Sequence, residues 1–184
     1  MRHGSRRQIK AAPSERRSAR GMRIAILRAL FNPRITDGLL AGAKAELVGL
    51  GADPRRVRVF DLPGAFELPI VARAAALSGR FDAIVALGAV IRGETDHYEH
   101  IAREAAAGLA AVSRETGVPV SFGVLTVKRE DHALARAGAS RDNKGAEAAR
   151  AAVAMVHVVR RLTGEPETRT VASAGAAGRK KRGA

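Results

Sequence analysis

The chain has 184 residues, 46% of them hydrophobic, which is enough for one globular domain with a sizeable core and argues against a two-domain enzyme. It contains no cysteine, which excludes disulfides, thiolate zinc sites and cysteine nucleophiles and fits a reducing compartment such as the cytoplasm. The longest apolar run, residues 83–91, is too short to span a bilayer, so we expect a soluble protein with no membrane partner, and the net charge of +14 raises the question of nucleic-acid binding.

The positive charge is concentrated at the two ends of the chain. Residues 1–21 carry a net charge of +6 and residues 163–184 a net charge of +3, and none of the six aromatic residues lies in these ends. A stacking platform for single-stranded nucleic acid is therefore missing, and we expect solvated tails rather than nucleic-acid binding. The expected organisation is a basic, disordered extension over residues 1–21, a domain over residues 22–163 and a basic, disordered tail over residues 164–184.

From Met22 onward, short apolar runs alternate with segments of helical periodicity. The first helical segment has Thr36 as its expected N-cap and Gly51 as its stop. Four strands that alternate with helices form βαβ units, so we expect an α/β fold: a three-layer α/β/α sandwich around a four-stranded parallel sheet. The strands are expected at residues 23–30, 57–62, 83–91 and 118–127, and the main helices at residues 35–50, 66–77, 97–116 and 147–162.

The loop after the third strand is the first candidate site, because ligands of parallel sheets bind beyond the carboxyl ends of the strands. Residues 88–95, GAVIRGET, are similar to a phosphate-binding loop, but Glu94 stands where nucleotide-binding loops have lysine. A carboxylate there would repel a triphosphate, which disfavours nucleotide hydrolysis. Two interpretations remain: a site for a single phosphate, formed by backbone amides and the helix dipole, or a plain strand-to-helix turn.

His97 lies at the start of the helix that follows this loop. Its imidazole could act as general acid or base for a phosphate-bearing substrate, although a lone helical histidine is more often a surface or capping residue. With His100 it could begin a metal site, but a third ligand is not evident in the sequence, so no metal is expected.

Five further positions combine a candidate binding role with an ordinary structural one. Glu67 could accept hydrogen bonds from a polyol or amine, or could simply match the dipole of its helix. Phe31 and Phe122 could stack on a planar ring or could belong to the core. Arg136 and Lys144 could bind a phosphate or could be solvated cations.

Taken together, these segments resemble the 6,7-dimethyl-8-ribityllumazine synthase family of riboflavin biosynthesis. The resemblance covers about residues 23–162 and implies a flavodoxin-like fold and a homopentameric ring with sites shared between neighbours. Some relatives close such rings into an icosahedral shell. It rests on FN and IT within residues 31–36, PGAFELP at 63–69, GAVIRGETDHYE at 88–99, PVSFGVLT at 119–126, and ARAG and NKGAEAA at 135–138 and 143–149.

The resemblance implies a role for each candidate position. Phe31 would stack on the pyrimidine of 5-amino-6-(D-ribitylamino)uracil, and His97 would transfer protons. Glu94, Thr95 and Arg136 would hold the phosphate of 3,4-dihydroxy-2-butanone 4-phosphate. The remaining contacts to the aminouracil would come from Ala65, Phe66, Glu67, Ala89, Val90, Ile91, Phe122 and Lys144.

The implied reaction condenses these two substrates to 6,7-dimethyl-8-ribityllumazine with release of phosphate and water. It is the penultimate step of riboflavin biosynthesis, needs no metal or redox cofactor, and implies a functional link to riboflavin synthase. Ser140, Arg141 and Asp142 replace the basic, glycine-containing turn of shell-forming relatives, so we expect a pentamer rather than a 60-subunit shell. Two alternatives stay open: a non-catalytic carrier of a flavin or lumazine, and a nucleic-acid-associated assembly driven by the basic tails.

Overall fold

The computed structural model describes residues 18–164, which contain one all-parallel, four-stranded sheet. Its strands are β1 (Ile24–Ala29), β2 (Val57–Leu62), β3 (Ala83–Ile91) and β4 (Val120–Val127). They are arranged in the order β2-β1-β3-β4, which is the order of flavodoxin-like sheets. The expected four-stranded parallel sheet is confirmed.

Helices cover both faces of this sheet. They are α1 (Pro33–Gly49), α2 (Leu68–Leu77), α3 (His97–Thr116), α4 (Glu130–Ala137) and α5 (Lys144–Thr163). One face packs against α1, α4 and α5, and the other against α2 and α3, so the predicted three-layer α/β/α sandwich is confirmed. Within residues 18–164, no helix combines the length and the apolar character needed to cross a membrane.

Strand β3 lies at the centre of the core. Its first eight residues are all buried, because helices cover both of its faces and a strand pairs with each of its edges. Val85 and Leu87 pack with the α1 and α5 layer, whereas Ile84 and Ala86 pack with the α2 and α3 layer. A parallel strand that is covered on both faces needs a continuous apolar run, which is what the sequence provides.

The first helix begins earlier than the sequence pattern suggests. Asn32 is the N-cap of α1, in the left-handed conformation with φ of 60°, and Pro33 opens the helix. Proline suits this position because its φ is already helical and the amide it lacks would have no helical partner. The prediction of Thr36 as N-cap was therefore wrong; Thr36 is buried inside the helix.

Two other helix starts also differ from the predicted ones. Helix α2 begins at Leu68, with Glu67 as its N-cap residue. Helix α5 begins at Lys144, three residues before the predicted start, because the side chain of Asn143 accepts a hydrogen bond from the amide of Ala146.

The segment before β1 already belongs to the packed body. Ala19 is fully buried, and its amide donates to the carbonyl of Leu50 over 2.8 Å. His157 Nε2 lies 2.8 Å from the carbonyl oxygen of Ser18. Residues 18–21 therefore pack against the domain that was predicted to begin at Met22. The rest of the two tails predicted to be disordered, residues 1–17 and 165–184, lies outside the described residues.

A buried ionic cluster lies at the amino end of the sheet. Asp82, just before β3, forms ion pairs of 3.1 Å with Arg23 and 3.0 Å with Arg160, and the side chains of Asp82 and Arg160 are each 6% exposed. Arg23 also donates its backbone amide to Asp82 over 2.7 Å. Burial raises the pKa of Asp82, but the hydrogen bonds from Arg23 and the charges of Arg23 and Arg160 outweigh it and leave the pKa below its ordinary value.

We expect Asp82→Asn to lower the free energy of unfolding by about 3 kcal/mol at neutral pH, because it leaves two arginines without their buried carboxylate. Since the folded-state pKa of Asp82 is lowered, its contribution is complete above about pH 4 and is lost as the pH falls through the folded-state pKa. Urea denaturation as a function of pH measures both effects. Asp53→Asn, which alters an exposed ion pair with Arg55, is the control and should change stability much less. A difference between reference and Asp82→Asn that persisted unchanged at low pH would contradict this account.

Candidate active site

The loops after β1, β2 and β3 meet at the carboxyl edge of the sheet. The amide of Leu30 donates to the carbonyl of Leu62 over 2.8 Å, and the amide of Phe31 donates to that of Pro63 over 3.2 Å. Asn32 Nδ2 donates to the carbonyl of Ala89 over 3.0 Å. These three bonds hold the first loop against the second loop and against the end of β3.

Two aromatic side chains are exposed at this edge. Phe31 is 72% exposed and Phe66 is 55% exposed, while Ala65, in the loop after β2, is buried. The core interpretation of Phe31 was therefore wrong, because the left-handed turn at Asn32 leaves its ring outside the packed layers. The Glu67 carboxylate folds back over the same turn, since a Cβ at Gly64 would lie 3.1 Å from its Oε2.

The segment that is similar to a phosphate-binding loop has a different geometry from one. Strand β3 continues through Ile91, so Gly88 lies inside the strand opposite Val124, and only residues 92–96 form the loop before α3. Neither Gly88 nor Gly93 has a positive φ. The two glycines therefore do not bracket a nucleotide-binding turn, and the anion interpretation depends on the short loop and the start of α3.

The loop before α3 is exposed and is anchored at its first residue. The amide of Arg92 donates to the carbonyl of Val127 over 2.9 Å, and its guanidinium lies 5.8 Å from the centre of the Tyr98 ring. Glu94 and Thr95 are exposed. His97 is the first residue of the 20-residue helix α3 and is also exposed, at the helix end whose dipole favours an anion.

The candidate residues on the first three loops, at the end of β3 and at the start of α3 form one group, which we call the loop cluster. It contains His97, two of the three predicted phosphate residues, and all the predicted aminouracil contacts except Phe122 and Lys144. The side chains of Ala89 and Val90 are buried in β3. The members are Phe31, Ala65, Phe66, Glu67, Ala89, Val90, Ile91, Glu94, Thr95 and His97.

The other predicted residues lie in a separate groove along the free edge of β4. The groove has a volume of about 850 Å³ and is lined by β4, the end of α3 and one side of α5. Phe122, 46% exposed, Arg136 and Lys144 line it together, and no residue of the loop cluster does. We call this the edge groove. Within the described chain, the outer edge of β4 has no partner strand.

The edge groove contains two basic side chains that the sequence analysis missed. Lys128 and His132 line it with Arg136 and Lys144, and Glu147 is the acidic residue among its lining. Arg136 Nη1 donates to the carbonyl of His132 over 3.0 Å, and Lys144 pairs with Glu147. His132 and Arg136 lie one turn apart on α4, and Lys128 follows the end of β4, so the spacing of 132 and 136 could have indicated a common basic face. Only the position of α4 beside β4 shows that this face lines the groove.

The described residues include no group of three or more histidine, aspartate or glutamate side chains placed to hold a metal ion. His97 and His100 lie one turn apart on α3, and residues 18–164 bring no third ligand to them.

Comparison with known proteins identifies the family of the chain. Residues 21–160 match the 6,7-dimethyl-8-ribityllumazine synthase family. The chain belongs to this family. It is 45% identical over 144 residues to 6,7-dimethyl-8-ribityllumazine synthase of Syntrophus aciditrophicus (strain SB), covering 78% of this chain and 94% of that protein. It is 50% identical over 140 residues to 6,7-dimethyl-8-ribityllumazine synthase of Xanthomonas euvesicatoria pv. vesicatoria (strain 85-10), covering 76% and 91%.

The match to the lumazine synthase family includes both the loop cluster and the edge groove. The family resemblance predicted from the motifs is therefore confirmed. The roles of the individual residues stay predictions.

We expect Gly93→Ala to leave the fold intact and to change the free energy of unfolding by at most about 1 kcal/mol, because a Cβ there meets no atom within 4 Å. The matched control is Gly123→Ala in β4, where a Cβ would lie 2.7 Å from Leu87 and 2.9 Å from the carbonyl of Ala86. That variant should lose about 1–3 kcal/mol through overpacking. Urea denaturation compares the two, and an equal loss in both variants would show that the loop at Gly93 is packed after all.

Proposed function

We propose that this chain condenses 5-amino-6-(D-ribitylamino)uracil with 3,4-dihydroxy-2-butanone 4-phosphate to give 6,7-dimethyl-8-ribityllumazine, phosphate and water. Membership of the lumazine synthase family over nearly the whole described chain carries this proposal. The chain also has an exposed aromatic ring, a histidine at a helix start and a basic groove, which suit a planar amine, proton transfers and a phosphate ester.

In this proposal the aminouracil binds over the loop cluster. Phe31 offers an exposed face on which the pyrimidine can stack. The backbone of Ala89, Val90 and Ile91 at the end of β3 offers hydrogen bonds to the ring edge, and Glu67 with Ala65 and Phe66 receives the ribityl hydroxyls. Phe122 and Lys144 complete this pocket from the edge groove.

The phosphate ester binds between the start of α3 and the edge groove. The first-turn amides of α3 and the side chain of Thr95 are donors, and the dipole of this 20-residue helix favours an anion at this end. Glu94 lies in the same loop and points its carboxylate away from the phosphate in the productive complex. Arg136 supplies a planar guanidinium that can bind phosphate oxygens in pairs.

The reaction consists of a condensation, an elimination and a ring closure. Each step includes a proton transfer, and none of them needs an oxidant or a reductant. The substrate amine attacks the ketone, and loss of water gives an imine. Phosphate is then eliminated, and ring closure expels a second water. His97 accepts and returns protons at these steps, while the phosphate contacts orient the leaving group.

Incubating the purified protein with the two substrates and recording the absorbance of the lumazine tests the proposal directly. Formation of the chromophore together with inorganic phosphate supports it. A protein that binds the lumazine without forming it would instead support the non-catalytic carrier.

We further propose that the site is shared between neighbouring subunits of a homopentamer. The loop cluster and the edge groove do not meet in one chain, although both hold predicted substrate contacts. Exposed apolar side chains lie at both surfaces: Phe66 in the loop cluster and Ile70 in the adjoining first turn of α2, and Phe122 and Met155 at the edge groove. A head-to-tail contact between these surfaces closes into a ring and covers the free edge of β4.

The number of subunits follows from the family resemblance, and the turn at residues 140–142 favours the single ring over the 60-subunit shell. Ser140, Arg141 and Asp142 are exposed and make local hydrogen bonds, including that of the Asp142 amide to Ser140 Oγ over 3.3 Å. We propose the cytoplasm as the location, since the chain has no cysteine, and a functional link to riboflavin synthase, which consumes the lumazine.

We expect His97→Ala to lower kcat by about 10²- to 10⁴-fold while the fold and substrate binding persist, because a positioned acid or base typically contributes that much. Steady-state kinetics and circular dichroism measure the two effects. His100→Ala, three residues along the same helix, is the matched control and should retain most of the activity. Equal turnover in His97→Ala and the reference across the pH range would remove His97 from the mechanism.

We expect mixed rings of two impaired variants to recover activity. His97→Ala damages the loop cluster and Arg136→Ala damages the edge groove, so random mixing restores about a quarter of the shared sites. Refolding the two variants together, followed by activity assay and light scattering, measures recovery and subunit number. Absence of recovery, or a fully active monomer, would contradict the shared site, and a 60-subunit mass would contradict the single ring.

A further inference from the structure

Asn143 is a buried amide at the junction of three helices. The whole residue is only 3% exposed. Nδ2 donates to the carbonyl oxygens of Gly38 (3.0 Å), Ala137 (2.8 Å) and Gly138 (3.0 Å), and Oδ1 accepts from the amide of Ala146 (3.0 Å). The two protons on Nδ2 serve three acceptors, so one proton is shared. One side chain thus joins α1, the end of α4 and the start of α5.

Three glycines leave the space that this junction needs. A Cβ at Gly42 would overlap the Asn143 amide itself, and one at Gly38 would overlap the carbonyl of Ala137. A Cβ at Gly145 would overlap the backbone of α1. The helices therefore approach one another as closely as their backbones allow, and Asn143 provides the polar groups that meet the carbonyls at their centre.

The junction lies directly beside two cations of the edge groove. Arg136 precedes Ala137, whose carbonyl Asn143 binds, and Lys144 follows Asn143. The intervening residues 138–142 are exposed. Their hydrogen bonds stay within this turn, go to Asn143, or join the turn to the end of α4, where the amide of Gly138 donates to the carbonyl of Leu134 over 3.0 Å. The distance between the end of α4 and the start of α5 is thus held by the Asn143 amide rather than by the turn.

We propose that Asn143 is a positioning residue that sets the placement of Arg136, and with it Lys144, in the edge groove. This inference rests on the function proposed above. Asn143 touches neither substrate; it acts on the phosphate-bearing substrate through Arg136. Its two chemical functions can be separated, because a serine can still accept the amide of Ala146 as an N-cap but cannot reach the three carbonyls.

The test is a double-mutant cycle of Asn143→Ser and Arg136→Ala with steady-state kinetics on both substrates. We expect Asn143→Ser to raise KM for 3,4-dihydroxy-2-butanone 4-phosphate about tenfold in the otherwise unchanged chain and less than about twofold in the Arg136→Ala chain. A purely structural loss would lower the active fraction equally in both backgrounds. Equal KM shifts in both backgrounds, or a fall in kcat alone, would overturn the positioning role.

Two further variants separate positioning from stability. Asp82→Asn lowers stability at the opposite end of the sheet and should leave both KM values unchanged. Asn143→Asp keeps the acceptor for Ala146 and the side-chain shape but removes the donor, so it should reproduce the KM shift of Asn143→Ser if that variant does not fold. A normal KM in Asn143→Asp would overturn the proposal.

A binding measurement distinguishes failure of this inference from failure of the proposed function. Calorimetric titration with inorganic phosphate at low salt needs no turnover. We expect binding by the reference chain that is weakened in both Arg136→Ala and Asn143→Ser. If the reference chain forms no lumazine, the proposed function fails, while the phosphate titration still decides the role of Asn143; equal phosphate binding by the reference and Asn143→Ser overturns it.

Discussion

Burial of β3 on both faces is the constraint on which the rest of the structure depends. Its amides and carbonyls must pair with neighbours on both edges, and its parallel neighbours β1 and β4 bring all carboxyl ends to one side of the sheet. The loops after β1, β2 and β3 meet there, so Phe31, Phe66 and His97 share one edge although 66 residues of sequence, from 31 to 97, separate the first from the last. The loop cluster is therefore a consequence of sheet topology and not of any signal within a single loop.

The same topology leaves β4 as an edge strand, whose unpaired backbone groups have to be protected. Its outer edge opens on the edge groove, whose lining combines Phe122 and Met155 with Lys128, Arg136 and Lys144. An exposed apolar strand edge invites pairing with another chain. In the proposed ring, the contact that covers this edge is also the contact that completes the site, so the enzyme has no separate surface for assembly. A change that opens the ring would then remove catalysis without altering the fold of the subunit.

The fold was predictable where a pattern is continuous and local. The bounds of β2, β3 and α3 agree with the predicted ones. Strand β3 is a buried apolar run and α3 carries a long helical stripe, whereas β2 ends just before Pro63 and Gly64, two residue types typical of turns. The starts of α1 and α5 were missed for a physical reason. The left-handed Asn32 before proline sets the first and the side-chain cap of Asn143 sets the second, and a single residue produces no periodic pattern. The motifs identified the family, but the division of the site into two surfaces depends on α4 lying beside β4, which no local pattern encodes.

The residues that stabilise the fold lie far from the proposed site in the case of Asp82 and next to it in the case of Asn143. Asp82 pairs with Arg23 and Arg160 at the amino end of the sheet, a full strand length from the loop cluster. A change in these ion pairs can therefore alter the free energy of unfolding without altering the proposed substrate contacts. Asn143 has no such separation, since its four hydrogen bonds both close the α1, α4 and α5 layer and hold the residues next to Arg136. Loss of activity alone therefore says nothing about its role. Only the dependence of its effect on Arg136 distinguishes a residue that positions a cation from one that simply holds helices together.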